Sequence, residues 1–241
     1  MSSSSSQIAQ NQTTSATPVN PNKALWEKGD FTRIDIACNL VAAGNTRAVA
    51  AGLTNCTFQE GDASHLVGIA DRSFDLVVSI FGAMFAPRPC DVAKELVRVT
   101  SVGGRIVMGN WIPGDLTLVA QILKISASYS PPPPEGFVSP MLWGTEASVT
   151  ERFVAAGIPA DQITFSRETW RVQTAGAPSM LLATFRQFYG PTMNAFDAAE
   201  KAGRTNDLQR ELEVLFESQN TSGRSDITNV PATFLKVSVT V

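Results

Sequence analysis

Acidic and hydroxyl side chains follow the ends of predicted strands at three points along the chain. Asp35 opens a predicted helix after Thr-Arg-Ile, Gly61-Asp62-Ala63 ends the strand predicted at 56–60, and Ser79 begins a stretch that runs to Phe85. In open parallel sheets, ligands bind outside the carboxyl ends of the strands, where a carboxylate can accept hydrogen bonds from ribose hydroxyls. A second carboxylate with a neighbouring backbone N–H can read the edge of an adenine. The pattern therefore indicates a candidate nucleoside site.

The elements that must position these side chains alternate between helix and strand. The first half is predicted to form a helix, two strands, a helix and a strand over residues 36–51, 56–60, 73–80, 91–99 and 105–109. This alternation predicts a parallel sheet with right-handed crossovers. The second half is predicted to hold helices at 116–129 and 146–156, a strand within 161–173, a helical block at 178–219 and a strand at 231–241. In the helical block, apolar residues recur at helical spacing, at Leu208, Leu212, Leu215 and Phe216.

Composition restricts the classes of function. The 241 residues are 44% hydrophobic and carry 19 basic and 22 acidic residues, for a net charge of −3. This charge gives no polycationic face for nucleic acid, and no apolar run approaches the roughly 20 residues of a membrane span. The start has no leader pattern, so we expect a cytoplasmic protein, and the cysteine spacing indicates no metal site. We predict a mobile tail at 1–20 and one domain at 21–241, with a helical insertion at about 178–220.

Four motifs, in order and at suitable intervals, resemble the class I S-adenosylmethionine-dependent methyltransferases. They are Asp35-Ile36-Ala37, Gly61-Asp62-Ala63, the run from Phe74 to Ser79, and the run from Val102 to Val107. The resemblance is to the branch with the ubiquinone and menaquinone methyltransferases, and it covers most of the chain from Trp26 onward. It implies an α/β fold with a doubly wound, mostly parallel Rossmann-like sheet and a helical insertion before the last strand.

The resemblance also implies roles for particular residues. In the family, the matching positions hold the cofactor ribose and adenine, line the cofactor, or face the substrate. The implied cofactor-binding residues are Asp35, Ile36, Asp62, Ala63, Ser79 and Phe81, and the implied substrate-facing residues are Met84, Phe85 and Trp111. The implied activity is methyl transfer from S-adenosylmethionine to a small organic acceptor. No side chain stands out as a general base, so catalysis would come chiefly from positioning the acceptor.

The chain departs from the family before Asp35. The family's first motif is a strand followed by an Asp-x-Gly-x-Gly loop, and no such loop precedes Asp35 here. A strand–helix–strand unit takes roughly 30 residues, so the first unit is predicted to be missing, with Phe31-Thr-Arg-Ile34 as a candidate substitute strand. We expect weak or no cofactor binding, because only glycine lets the backbone approach the methionine portion closely. We also expect open strand edges that favour self-association.

Each residue has a simpler interpretation beside the functional one. Asp35 is a suitable helix cap, Asp62 a suitable turn residue, and Phe81, Met84 and Phe85 are apolar residues of the kind found in cores. A rival hypothesis is a binding protein or inactive remnant that kept the fold. A nicotinamide dehydrogenase is a weaker rival, because the sequence has no Gly-x-Gly-x-x-Gly fingerprint.

Overall fold

The computed structural model describes residues 38–133 and 135–241, with only the backbone described for 38–40. The helices are α1 (Cys38–Ala50), α2 (Pro89–Val99), α3 (Leu118–Tyr129), α4 (Glu146–Ala155), α5 (Pro178–Phe188), α6 (Gly190–Lys201) and α7 (Thr205–Gln219). The strands are β1 (Phe74–Ile80), β2 (Thr100–Trp111), β3 (Ile163–Ala175) and β4 (Ile227–Thr240), and short 3-10 helices lie at Ala83–Phe85, Pro140–Gly144 and Ala160–Gln162. Among the helices of these ranges, none has the length and apolar character of a membrane span.

The four described strands form one sheet in the order β1-β2-β4-β3. β1 and β2 are parallel and joined through α2, with Val77 opposite Ile106 and Ile80 opposite Gly109. β4 lies between β2 and β3 and is antiparallel to both. The predicted α/β class is confirmed, but among the described strands the sheet is mixed rather than mostly parallel. The reason is that β4 enters between two existing strands in the opposite direction after the helical insertion.

One face of the sheet is covered by helices and holds the larger core. Alternate residues of β2, Ile106 and Met108, are fully buried on this face, as the two-residue period of a strand requires. The apolar stripe of α2 supplies Val92 and Leu96, and Phe153 of α4 packs into the same cluster. Because burial of such a side chain contributes roughly 1.5–3 kcal/mol, this face supplies much of the stability of the sheet.

The predicted helical insertion is confirmed as α5, α6 and α7. These helices pack with α3 around a second core that contains Leu208, Leu212 and Phe216, all fully buried, while Leu215 is partly buried at its edge. Val230 at the start of β4 joins the same core. The long β3–β4 pair thus extends beyond the rest of the sheet and carries the helical insertion on one end.

The predicted strand at 56–60 is not among the strands of the described residues, where this segment has no regular secondary structure. The backbone of Phe58 instead bonds to one side chain: its carbonyl accepts from Asn45 Nδ2 at 2.9 Å, and its N–H donates to Asn45 Oδ1 at 3.0 Å. The Phe58 ring packs over Gly44, where a Cβ would lie 2.8 Å from the ring. Residue types that favour a strand do not make one when another partner satisfies the backbone, and here the side chain of Asn45 on α1 satisfies the backbone of Phe58.

Candidate functional site

An open cleft, called here the β1 cleft, follows the edge of β1 that pairs with no other described strand and continues past the carboxyl end of β1. Its volume is about 440 Å³, and it is lined by Gln59, Gly61, Ala63, Leu66, Val77, Val78, Ser79, Ile80, Gly82, Ala83, Ala86 and Leu96. Successive residues of a strand point to opposite faces, so a cleft lined by four successive residues of β1 must lie at the strand edge. Its size falls within the roughly 300–1,000 Å³ of small-molecule sites, and its walls are largely apolar, as is typical of them.

Two predicted cofactor-binding residues that are distant in the sequence meet in this cleft. Ala63 lies on the loop after the 56–61 segment and Ser79 lies near the end of β1, and both line the β1 cleft. Asp62 is the neighbour of Ala63 and is half-buried. Asp35 and Ile36 lie outside the described residues. The cleft is thus at the carboxyl end of a parallel strand, where the sequence pattern predicted a ligand site.

Asp62 shapes the loop that carries Ala63. Its Oδ1 accepts hydrogen bonds from the Ser64 backbone N–H at 2.8 Å and from Ser64 Oγ at 2.6 Å. Its backbone carbonyl accepts from the N–H of His65 at 2.8 Å. The turn interpretation of Asp62 therefore describes its contacts in this structure, and the turn fixes the backbone around Ala63 at the cleft wall.

The chain turns sharply where β1 ends. Ser79 Oγ accepts from the backbone N–H of Ala83 at 3.0 Å and so holds the start of the following 3-10 helix. Phe81 has a φ of 59°, in the left-handed region that non-glycine residues rarely occupy. Its ring stacks on Trp111 with centroids 3.7 Å apart and an angle of 4°, and meets Phe234 edge-on at 5.3 Å. The aromatic packing thus offsets a backbone strain of about 1–3 kcal/mol. The residues that follow the turn, Gly82 and Ala83, line the cleft.

The three predicted substrate-facing residues are buried near this turn. Met84 is 1% exposed, Phe85 8% and Trp111 6%, and all three belong to the larger core. Beside Trp111, at the carboxyl end of β2, the amide side chain of Asn110 is buried, and neither its oxygen nor its nitrogen has a hydrogen-bond partner among the residues that the structure describes. An unpaired buried amide costs about 1–3 kcal/mol. Asn110 was not predicted as a site residue, since its burial cannot be read from the sequence.

Arg98 on α2 holds the loop of residues 61–73, called here the cleft loop, against that helix. The sequence pattern did not single out Arg98. It donates to both carboxylate oxygens of Glu95, at 2.7 and 2.9 Å, and to Asp71 at 2.6 Å. It also donates to the carbonyls of Leu66 and Ile69, at 3.1 and 2.8 Å. Glu95 in turn accepts from the N–H of Leu66 at 2.6 Å. The only signal in the sequence is the i,i+3 spacing of Glu95 and Arg98, which is common on exposed helices.

Replacement of Glu95 by Gln should loosen the cleft loop. The hydrogen bond from Arg98 holds the pKa of Glu95 below its ordinary 4.5. A carboxyl group with a depressed folded pKa stabilises the fold fully above its unfolded pKa, and that contribution is lost as the pH falls through the folded pKa. We expect faster amide hydrogen exchange at Leu66 in E95Q at pH 7, and loosening of this loop in the parent below about pH 4.5. E217Q, at an exposed site on α7, is the control, and equal exchange in E95Q and the parent would contradict this role for Glu95.

Among the described residues, no group of three or more His, Cys, Asp or Glu side chains is placed to hold a metal ion. Two carboxylates next to cleft-lining residues are bonded within the protein, Asp62 to Ser64 and Glu95 to Arg98. The cleft therefore offers mainly apolar walls, with the polar side chains of Gln59 and Ser79, and such walls suit a flat organic ring better than a cation.

Comparison with known proteins finds similarity to methyltransferases in the part of the chain that holds the cleft. Residues 17–108 match the family model described as a methyltransferase domain. An uncharacterized protein of Mycobacterium tuberculosis (strain H37Rv) is 34% identical over 165 residues, which are 68% of this chain and 58% of that protein. The chain thus spans 58% of the length of that relative. A demethylmenaquinone methyltransferase of Shouchella clausii is 34% identical over 86 residues, 36% of each chain.

Among solved structures, the YcgJ protein of Bacillus subtilis matches with a TM-score of 0.47 at 16% identity, over 85% of this chain and 80% of that one. The match to the methyltransferase-domain model includes the loop that carries Ala63, β1, α2 and most of β2. Through these residues the chain is similar to the S-adenosylmethionine-dependent methyltransferases that the sequence motifs resemble.

Proposed function

We propose that this protein transfers a methyl group from S-adenosylmethionine to a small organic acceptor, with the adenosine portion of the cofactor in the β1 cleft. The observation that carries the proposal is that Ala63 and Ser79, both implied by the family resemblance, line one cleft at the carboxyl end of β1. The family match over residues 17–108 supports the same chemistry. A cytoplasmic location is part of the proposal.

The residues of the cleft fit an adenosine group. Leu66, Ala83 and Ala86 offer apolar surface to the faces of a purine, and Ala63 lines the same cleft. Asp35 and Ile36 are proposed to bind the ribose, as the family resemblance implies. When bound, S-adenosylmethionine supplies an electrophilic methyl group, and the protein orients it and excludes water. No Asp-x-Gly-x-Gly loop precedes Asp35 in the sequence, so we expect the methionine portion to be held weakly.

The acceptor is proposed to lie beyond the end of β1. The stacked rings of Phe81 and Trp111 would form an apolar wall there, with Met84 and Phe85 beneath it. The unpaired amide of Asn110 is the polar group next to this wall. We propose that it hydrogen-bonds the acceptor, because a ligand would then satisfy an otherwise unpaired buried group.

The cleft assignment is tested by filling it. Replacement of Ala63 by Trp should weaken binding of S-adenosylhomocysteine by about tenfold or more, since about 1.4 kcal/mol of lost contact gives that factor. Affinities are measured by ligand-detected NMR, which records binding in the millimolar range. Ala70 lies on the same loop, is exposed and does not line the cleft, so A70W is the matched control. Equal loss in A63W and A70W, or no loss in either, would place the cofactor elsewhere.

A further inference from the structure

The outer edge of β1 is free in the part of the chain that the structure describes, where β1 pairs only with β2. A strand edge carries a row of backbone N–H and C=O groups, and such a row pairs readily with another extended segment. The apolar side chains of this strand are also exposed, at 49% for Leu76, 56% for Val78 and 39% for Ile80. The strand thus has the composition of a buried central strand and the exposure of an edge.

The part of the β1 cleft beside this edge is called here the slot. It is lined by four successive residues of β1, from Val77 to Ile80, and by Gln59 and Gly61. Gln59 follows Phe58, whose backbone bonds to the side chain of Asn45 on α1. Because β1 pairs with β2 alone among the described strands, its other edge is available to an extended segment that enters the slot.

We propose that Phe31-Thr-Arg-Ile34 adds to the free edge of β1 in this slot. The segment has an aromatic residue, a Thr and an Ile, which favour strands, and its four residues equal the four β1 residues that line the slot. The match to the family model runs from residue 17 to residue 108, so this segment and β1 fall within one matched domain.

The tether between the segment and the slot is short. Ile34 precedes Cys38, the first residue of α1, by four residues, which span at most about 14 Å when extended. Gly44 and Asn45, which contact the slot wall at Phe58, lie six and seven residues further on, about 9–11 Å along the helix. A short tether gives the segment a high effective concentration at this slot, so it competes well against a second copy of the chain. In this arrangement the adenosine portion of the cofactor would lie against Ala63, Leu66 and Ala86, which line the cleft outside β1.

Hydrogen exchange of residues 74–80 tests the proposal without any cofactor. Adjacent strand residues point their N–H groups to opposite sides, so the double variant T32P/R33P must remove one N–H that would face β1. We expect amides of β1 to be protected in the parent and to exchange about tenfold faster or more in this variant, since an open edge exchanges through local fluctuations. The variant T13P/T14P places the same two prolines in the early part of the chain and should exchange as the parent does.

Each other outcome overturns the proposal. Equal exchange in T32P/R33P and the parent would show that another group covers the edge. Protection that rises with protein concentration, together with a doubled mass by light scattering, would identify a second copy as the occupant. Fast exchange of the outward amides in the parent would show an open edge. Because no cofactor is present, failure here leaves the methyltransferase proposal standing. Unchanged cofactor binding in A63W would count against the cleft assignment and would leave this proposal standing.

Discussion

Replacement of Phe153 by Ala should lower the free energy of unfolding by about 3–5 kcal/mol. Phe153 lies on α4, is fully buried and meets the ring of Trp143 edge-on with centroids 6.1 Å apart. Its ring belongs to the core that supports the sheet from the side of α2. Truncation leaves a cavity that a close-packed interior cannot refill, and small domains have only about 5–15 kcal/mol in total.

The neighbouring residue gives a matched control for this prediction. Val154 is on the same helix but is 49% exposed, so V154A should change the free energy of unfolding by no more than about 0.5 kcal/mol. Urea denaturation followed by circular dichroism measures both variants. A loss below 1 kcal/mol in F153A would mean that α4 does not pack against the sheet as described.

Replacement of Gly144 by Ala should destabilise the protein by about 3 kcal/mol, although it adds only a methyl group. Gly144 ends the 3-10 helix Pro140–Gly144, which packs on the carboxyl end of β2. A Cβ at this position would overlap the carbonyl oxygen of Trp111 and lie 2.7 Å from its carbonyl carbon and 2.8 Å from the Cα of Ile112. Because these are backbone atoms, relief requires movement of β2 or of the 3-10 helix.

Gly61 provides the control for the same substitution. A Cβ at Gly61 would meet no atom within 4 Å, so G61A should leave the melting temperature nearly unchanged. In G144A we also expect a change in near-ultraviolet circular dichroism, because displacement of Trp111 breaks its stack with Phe81. A melting temperature equal to that of the parent would contradict the close contact between Gly144 and β2.

Elements that depend on their own apolar pattern were predictable from the sequence. The spacing of Leu208, Leu212 and Phe216 predicted the last helix of the insertion, and the continuous apolar run in β1 predicted a sheet strand. The sequence pattern gave a wrong prediction where a neighbouring segment determines the local structure. The 56–60 segment resembles a strand but has no ladder partner in the described chain, and the side chain of Asn45 satisfies the Phe58 backbone instead.

The candidate site was predictable in part, for a related reason. Ser79 lies near the carboxyl end of β1, so its place at this edge of the sheet follows from the topology. Ala63 lines the same cleft although the 56–60 segment before it is not a strand of the described sheet. The left-handed backbone of Phe81 and the buried amide of Asn110 depend on packing between distant segments, and no local signal encodes them. Arg98 contributes through bonds to a loop about 30 residues earlier, and only the folded chain brings these groups together.

The most direct test of the cofactor site is saturation-transfer NMR of S-adenosylhomocysteine with the whole chain, which shows which ligand protons contact the protein. If the β1 cleft holds the adenosine portion and no glycine-rich loop holds the methionine portion, the adenine and ribose protons should receive most of the saturation. The methionine protons should receive little, and A63W should abolish the transfer while A70W retains it. Even saturation along the whole ligand, with a micromolar dissociation constant and no effect of A63W, would contradict the cleft assignment and the weak methionine contacts together.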